Sequence, residues 1–540
     1  MSGETAGEPI SVRHFRAILL WPLQLAPARE TPWSLLREEQ ASHPWRPIEN
    51  DFAGDPSRFP ECRYSEFVTF LPYVQRVLYG EGTHGSPEAE RSPIRIFGRD
   101  DVALARVVLQ AGDVPLELEV QRVRLFFFAD IDVVIPVVEL RADDLALATV
   151  QDLLLRFGRA YPATWDADGE PHRCPASVQW LSRSGETLAA SDYQDRAHYL
   201  ASVARNRAPC IAAHWEWLLR PLLPDYSGEA GPLRFRQLEY YRMPLLAYLA
   251  FDDPTRLTRA DFVSLGLVAG PTDAESLPLA RRALEGFEHR YCYDHHWAPD
   301  ETHRWTNTRL ICSGHAFLMI GRQGDGFFAD RETGMLGQFR RVYFLLALLA
   351  HFHKAALLML SDRLVLAIAR LDVGDVESIK RFKREIRRAL QIFLRFTHRY
   401  WFAEVSIQDQ GQDLFRMWRR HLGTDRLYSE VREEIQDMND YLNSDSLRRQ
   451  ANTVVRLTVV STLGLVGTVV TGVLGMNLFA LADRPWPLKV GYFLLALIPS
   501  LLVILYAVLR SKALADFLDV LSEDRASWRM RLAALRRAVW

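Results

Sequence analysis

Residues 457–482 read LTVVSTLGLVGTVVTGVLGMNLFALA, and residues 490–509 read VGYFLLALIPSLLVILYAVL. Neither run holds a charge: Arg456 and Asp483 bound the first, Lys489 and Arg510 the second. A helix rises ~1.5 Å per residue, so about 20 residues cross the ~30 Å hydrocarbon core of a bilayer. Both runs are long enough. The connection between them, 478–489, has room only for a tight turn, which predicts a membrane hairpin. Arg448, Arg449 and Arg456 precede it and Arg510 and Lys512 follow it, against Arg484 and Lys489 in the turn. Basic residues favour the cytoplasmic side, so both termini are expected there, in a multi-pass protein of the inner or plasma membrane.

Counting back from Gly475 by threes and fours gives Gly472, Thr468, Leu465, Ser461 and Thr458. A seven-residue spacing of this kind puts them on one seam, the geometry of a bundle interior. All but Leu465 are small or hydroxylated. Two readings fit such a seam. Small residues let membrane helices pack closely while hydroxyls bond back to their own helix. Alternatively, copies of the seam surround a pore. Mg²⁺ gives up its water reluctantly, so a pore that selects it should grip a largely hydrated ion through neutral oxygen acceptors. Asn477 offers an amide oxygen, Gly475 an accessible carbonyl, and Thr468 a hydroxyl between two and three turns deeper.

A C-terminal two-helix hairpin with Gly475-Met476-Asn477 at the exit of its first span resembles the CorA superfamily of divalent-cation channels. The resemblance covers roughly residues 345–514. It implies a homo-oligomer, a pentamer in the family, that moves Mg²⁺ first and Co²⁺, Ni²⁺ or Zn²⁺ after it. The cation is then substrate and possible regulator. It also implies a selectivity filter at Gly475, Met476 and Asn477 and a pore lined by Thr468, Gly472, Leu465, Ser461, Thr458, Leu457 and Val454. Val454, Leu457 and Leu465 stand where the family has apolar constrictions, which close a pore by expelling water. An acidic ring near the cytosolic mouth corresponds to Asp440, which the same seam reaches through Ala451, Leu447 and Ser444. The neighbouring acids of Asp425–Asp445 read as solvated charge, and Asp440 is open to that reading too. Three features depart from the family: Ala451 replaces a pore Asn, Asp483 lies beside Arg484 in a loop without an acidic segment, and the basic cluster after the second span is reduced to Arg510 and Lys512.

Upstream, the patterning predicts an α/β cytosolic domain over 1–338, a helical stalk over 339–450, a first span over 451–477, a loop over 478–489, a second span over 490–510 and an amphipathic tail over 511–540. Phe15–Trp21 and Leu116–Gln121 read as strands, Val123–Val138 as buried strand interrupted by Asp130, Asp132 and Pro136, and Asp143–Phe157 as a helix. Gly80–Pro93 reads as an exposed loop. Leu345–Leu360 is apolar enough to raise a third span, but His351, His353 and Lys354 point to a buried helix of the soluble part. The tail fits either a cytosolic extension of the second span or a helix lying on anionic lipid.

Met1–Glu8 lacks the basic start and apolar core of a signal peptide. The five cysteines, all before the hairpin, are expected to stay reduced. A net charge of -2 gives no reason to expect nucleic acid as partner. Cys292-x₂-His295 and Cys312-x₂-His315 have zinc-like spacing, but the pairs are Cys-His instead of Cys-Cys, and Tyr293, Trp297 and Trp305 favour the reading of the segment as aromatic core with hydrogen-bonded histidines. No phosphate-binding glycine loop or nucleophile elbow appears, so no enzyme is expected. The rival to a channel is an oligomeric, membrane-anchored sensor or scaffold that keeps the hairpin without efficient transport.

Overall fold

The computed structural model describes residues 9–27, 30–38, 42–48, 60–81, 93–239, 242–271, 277, 279–299, 307–372, 375–475 and 485–509. They divide into two units, Met1–Glu434 and Ile435–Trp540. The expected loop Gly80–Pro93, for the most part, and the tail 511–540 lie outside the described residues.

In the first unit, fifteen strands among the described residues form one sheet. Its main path uses β1 (Ser11–Leu20), β2 (Leu104–Val108), β3 (Leu116–Phe128), β4 (Val133–Ala146), β5 (Ser177–Leu181), β6 (Thr187–Ala190), β7 (Leu245–Phe251), β8 (Cys292–Tyr293), β9 (Arg309–Cys312) and β10 (Ala316–Arg322). Their order is β8-β9-β10-β7-β1-β4-β3-β2-β5-β6. Pairing is antiparallel along the path except between β7 and β10, whose long connection permits a parallel pair.

The run Val123–Val138 is the hairpin of β3 and β4. The two aspartates that interrupt it make the turn, with Asp130 at φ 67°. That turn is fastened to helices: Asp130 accepts from Arg395 at 2.8 Å and Arg399 at 2.9 Å, and Asp132 pairs with Arg363. The helix expected from Asp143 starts later, at α1 (Leu147–Arg156), because Asp143–Ala146 prolong β4. The cause is a cross-strand partner: Asp143 sits opposite His14 of β1, and their side chains meet at 2.5 Å.

Glu139 lies at the centre of the sheet and is 0% exposed. Arg122 is its cross-strand neighbour on β3, 2.7 Å away, while Arg16 of β1 and Arg340 each approach to 2.8 Å. Burial pushes the Glu139 carboxyl up, but Arg122, Arg340 and Arg16 outweigh it and hold it below the usual carboxylate value. Burial in turn brings Arg122 down to about 10. A buried charge on this scale persists only because it is paired from several sides.

The sheet carries α2 (Phe344–Ala369) on its face, where Phe352 stacks on Phe128 at 3.7 Å and Phe344 meets Phe126 at 5.6 Å. The helical stretch Met335–Ala369 is, among the described residues, the one long and apolar enough to cross a membrane by length and composition. Its surroundings decide otherwise: 78% of its most apolar window is buried inside the protein. His353 is part of that core, fully buried and bonded through Nε2 to the Tyr400 carbonyl at 2.6 Å.

Helices α3 (Val376–Arg399) and α4 (Asp409–Leu422) follow, the first capped by Asp375, which accepts from the amides of Glu377 and Ser378. Gly423, whose φ of 67° ends α4, interrupts the stretch read from sequence as helical stalk. Residues 339–434, read from sequence as stalk, lie in the same compact unit as the sheet. The next helix, α5 (Thr424–Gly475), is unbroken over 52 residues.

The second unit holds the rest of α5 and α6 (Trp486–Leu509). α6 begins four residues before the expected span, since Pro487 in a first turn costs no intrahelical bond. Pro499 lies within it. The chain is therefore a mixed α/β N-terminal region followed by a helical C-terminal part.

Candidate functional site

The seam of α5 runs to Gly475, the last described residue of the helix. Val454 and Leu457 are each 61% exposed and Leu465 is 66% exposed, and Thr458, Ser461, Thr468, Gly472 and Gly475 are exposed as well. A methyl group placed on Gly472 or Gly475 would meet nothing within 4 Å. Within a single chain the face the sequence marks out is thus open along its length. Seven residues separate Thr468 from Gly475, a rise of ~10 Å.

The hydroxyls on this helix are oriented. Thr468 Oγ1 donates to the Gly464 carbonyl at 2.9 Å, and Thr458 Oγ1 donates to the Val454 carbonyl at 2.9 Å. Thr471, off the seam, divides its proton between the carbonyls of Gly467 at 3.0 Å and Thr468 at 3.1 Å. A hydroxyl that gives its proton to the backbone presents oxygen lone pairs outward. Such a surface accepts hydrogen bonds and does not donate them. It suits the outward-pointing protons of water held by a cation.

Met476 and Asn477, the rest of the expected filter, lie outside the described residues, as does the loop that follows through Arg484. Asp440, at the other end of the seam, is exposed on α5.

The two Cys-His pairs do not assemble. Cys292 stands opposite Ile311 in the β8–β9 ladder, so Cys312, one residue on, projects from the other face of the sheet. His295 is exposed and stacked on Tyr293 at 4.2 Å. His315 follows the turn after β9 and lines a cavity elsewhere. Burial pushes both thiols up to about 12, and no group of three or more metal-binding side chains converges among the described residues. The zinc expectation is corrected by strand register, which spacing along the chain does not reveal.

One constellation has no counterpart in the sequence reading. A cavity of about 640 Å³ in the first unit is lined by Arg159, Arg242, Lys354 and His351, which arrive from separate parts of the chain.

Residues 362–510 match the family model described as CorA-like Mg2+ transporter protein. The match begins within α2 and takes in all of α3 to α6. No curated protein matches the chain.

Proposed function

We propose that this chain is one subunit of a homo-oligomeric divalent-cation channel, a reading supported by the match of residues 362–510 to the CorA-like Mg2+ transporter family model. The observation that carries the reading is the seam of α5, open in the single chain and running to Gly475. Polar hydroxyls in hydrocarbon call for several copies facing one another, which argues for closed cyclic assembly. Five copies is the number the family suggests. In this proposal α5 from about residue 451 and α6 cross the inner or plasma membrane, with both termini cytoplasmic. The exposed apolar side chains of α6, among them Leu495 at 71% and Leu502 at 58%, support a lipid-facing surface.

Gly475, Met476 and Asn477 form the filter in this reading, and Thr468 makes a second collar. Mg²⁺ is the proposed substrate, with Co²⁺, Ni²⁺ or Zn²⁺ behind it. A hydrated ion passes from the Asn477 amide oxygens to the Thr468 hydroxyls, each accepting protons of its bound water. Leu465, Leu457 and Val454 then offer constrictions that close by dewetting.

The second reading, an anchored sensor or scaffold, draws on Ala451 at the lower pore position and on Asp483 beside Arg484, which weakens cation capture at the outer mouth. Reconstitution in liposomes with entrapped divalent-ion indicator separates the two. The parent chain should carry Mg²⁺, and Asn477→Ala should reduce the flux severely while detergent-solubilised mass still reports a ring. A monomer, or Asn477→Ala conducting as the parent does, would overturn the channel.

A further inference from the structure

Between Lys380 and Arg388, in α3, six of nine residues are Lys or Arg and one is acidic. The other two, Phe382 and Ile386, are buried. At 100° per residue, Lys380, Arg381, Arg384, Arg387 and Arg388 share ~120° of arc and ~12 Å of length on the opposite side of the helix. All five are exposed. The whole chain carries a net charge of -2, so this concentration belongs to the face and not to the composition. The carboxylates nearby do not match it. Lys380 and Arg384 reach the same one, Glu377, at 3.5 and 3.6 Å, and exposed pairs of that kind contribute little. Asp375 accepts from the amides of Glu377 and Ser378, and Asp130 is held by Arg395 and Arg399 further along. Counted from Arg370 to Arg388, seven basic residues stand against Asp372, Asp375, Glu377 and Glu385.

Apolar surface lies beside the cations. Near its C-terminal end α2 exposes Val365 by 59% and Ile368 by 50%, three residues apart on one face. The end of α2 and the start of α3 are tied together. Ser378 Oγ donates to the Arg370 carbonyl at 3.1 Å and accepts from the Asp372 amide at 2.8 Å. Leu366 and Arg370 of α2 line one groove with Arg381 and Phe382 of α3. The apolar pair and the basic stripe therefore belong to a single tip. A lone exposed apolar residue needs no explanation. An apolar pair beside a row of Lys and Arg suits the headgroup region of an anionic bilayer, where apolar side chains reach below the phosphates and long basic ones stay among them.

We propose that this tip of α2 and α3 docks on an anionic lipid surface. The proposal rests on the channel reading in one respect, since it is the α5–α6 hairpin that brings a bilayer to the molecule. Two observations favour lipid over a nucleic acid strand. Val365 and Ile368 gain nothing from a phosphodiester chain in water, whereas a bilayer removes them from water. Phe382, the one aromatic residue between Lys380 and Arg388, is buried, which leaves bases nothing on this face to stack on.

The test is amide hydrogen exchange of the full chain in nanodiscs of phosphatidylcholine alone and of an equal mixture with phosphatidylglycerol. Slower exchange at the end of α2 and the start of α3 is expected in the anionic discs, and its loss at about 0.5 M chloride, where exposed charges are screened within a few ångströms. Each basic residue near an anionic surface contributes about fivefold. Arg381→Gln, Arg384→Gln and Arg388→Gln together should then lower the docked population about a hundredfold and abolish the protection. Val365→Ser with Ile368→Ser should weaken it at unchanged charge. Arg106→Gln, which removes only the surface pair with Glu117, should leave it intact. Unchanged exchange in the sheet reports that each variant is folded. Equal exchange in the two lipids overturns the proposal, as does protection that the triple variant retains. Protection by an added oligonucleotide, with none from phosphatidylglycerol, overturns it in favour of nucleic acid. Ion flux plays no part in the readout, so a chain that docks without conducting, or conducts without docking, separates this proposal from the channel.

Discussion

Thr468→Val is the substitution that most directly asks whether the seam conducts or merely packs. Valine has nearly the shape of threonine, so close approach of neighbouring helices is preserved. The bond lost within the helix is the 2.9 Å contact from Thr468 Oγ1 to the Gly464 carbonyl. Back-bonds of this kind add little to helix stability and slightly oppose it. What disappears is the outward acceptor. A hydrogen bond to a charged partner contributes ~1.5–3 kcal/mol, and one bridged through ordered water is nearly as good as a direct one. If the ion's hydration shell loses a single such contact at its barrier, flux falls about tenfold, at ~1.4 kcal/mol per factor of ten. Every subunit loses its acceptor at once, so tenfold is the floor. Thr471→Val is the matched control: it removes the same chemistry from a hydroxyl whose proton is already shared between two carbonyls off the seam. Mg²⁺ flux per oligomer in proteoliposomes, with mass in detergent, reads both. Parent-like flux through Thr468→Val at unchanged mass would refute the reasoning. So would equal damage from Thr471→Val, since the stripe would then serve packing.

Three further outcomes are expected. Asp440→Asn should alter the metal dependence of flux or of protease resistance near residue 440, because ringed carboxylates repel one another unless a cation sits between them; no change in either would return Asp440 to ordinary solvated charge. Glu139→Gln should destabilise the first unit by about 3–5 kcal/mol by stranding Arg16, Arg122 and Arg340 in the sheet; a drop below ~1 kcal/mol in denaturant unfolding would show that the cluster is better solvated than its burial implies. Stability should also fall on acidification. Burial holds His214, His351 and His353 down to about 3, so below pH ~6.5 the unfolded chain takes up protons the native one refuses. The native state is then at its best above pH ~6.5 and loses about 1.4 kcal/mol per histidine at one pH unit below, continuing toward pH 3. Unfolding in phosphate-free buffer that is flat from pH 7.5 to 5.5 would count against all three being buried and neutral.

What could be read from the chain alone was whatever depends on neighbours along it. Val123–Val138 was legible as buried strand from its Phe, Val and Ile content, though not as the two strands that turn at Asp130 and Asp132. The seam was legible because a seven-residue spacing survives in any straight helix. Contacts between distant segments were not. Asp143 looked like a helix start, yet His14, far away on β1, holds it in the sheet. That α2 is a core helix was legible from His351, His353 and Lys354, but not which side chains cover it: Phe128 of β3 stacked on Phe352 and Phe396 of α3 edge-on to it. The Cys-His pairs failed for the opposite reason: their spacing was suggestive, but strand register sent adjacent positions to opposite faces. Arg159 and Arg242 are the sharpest case. Neither belongs to a motif, and in sequence each is one more arginine; a single backbone bridge makes them neighbours.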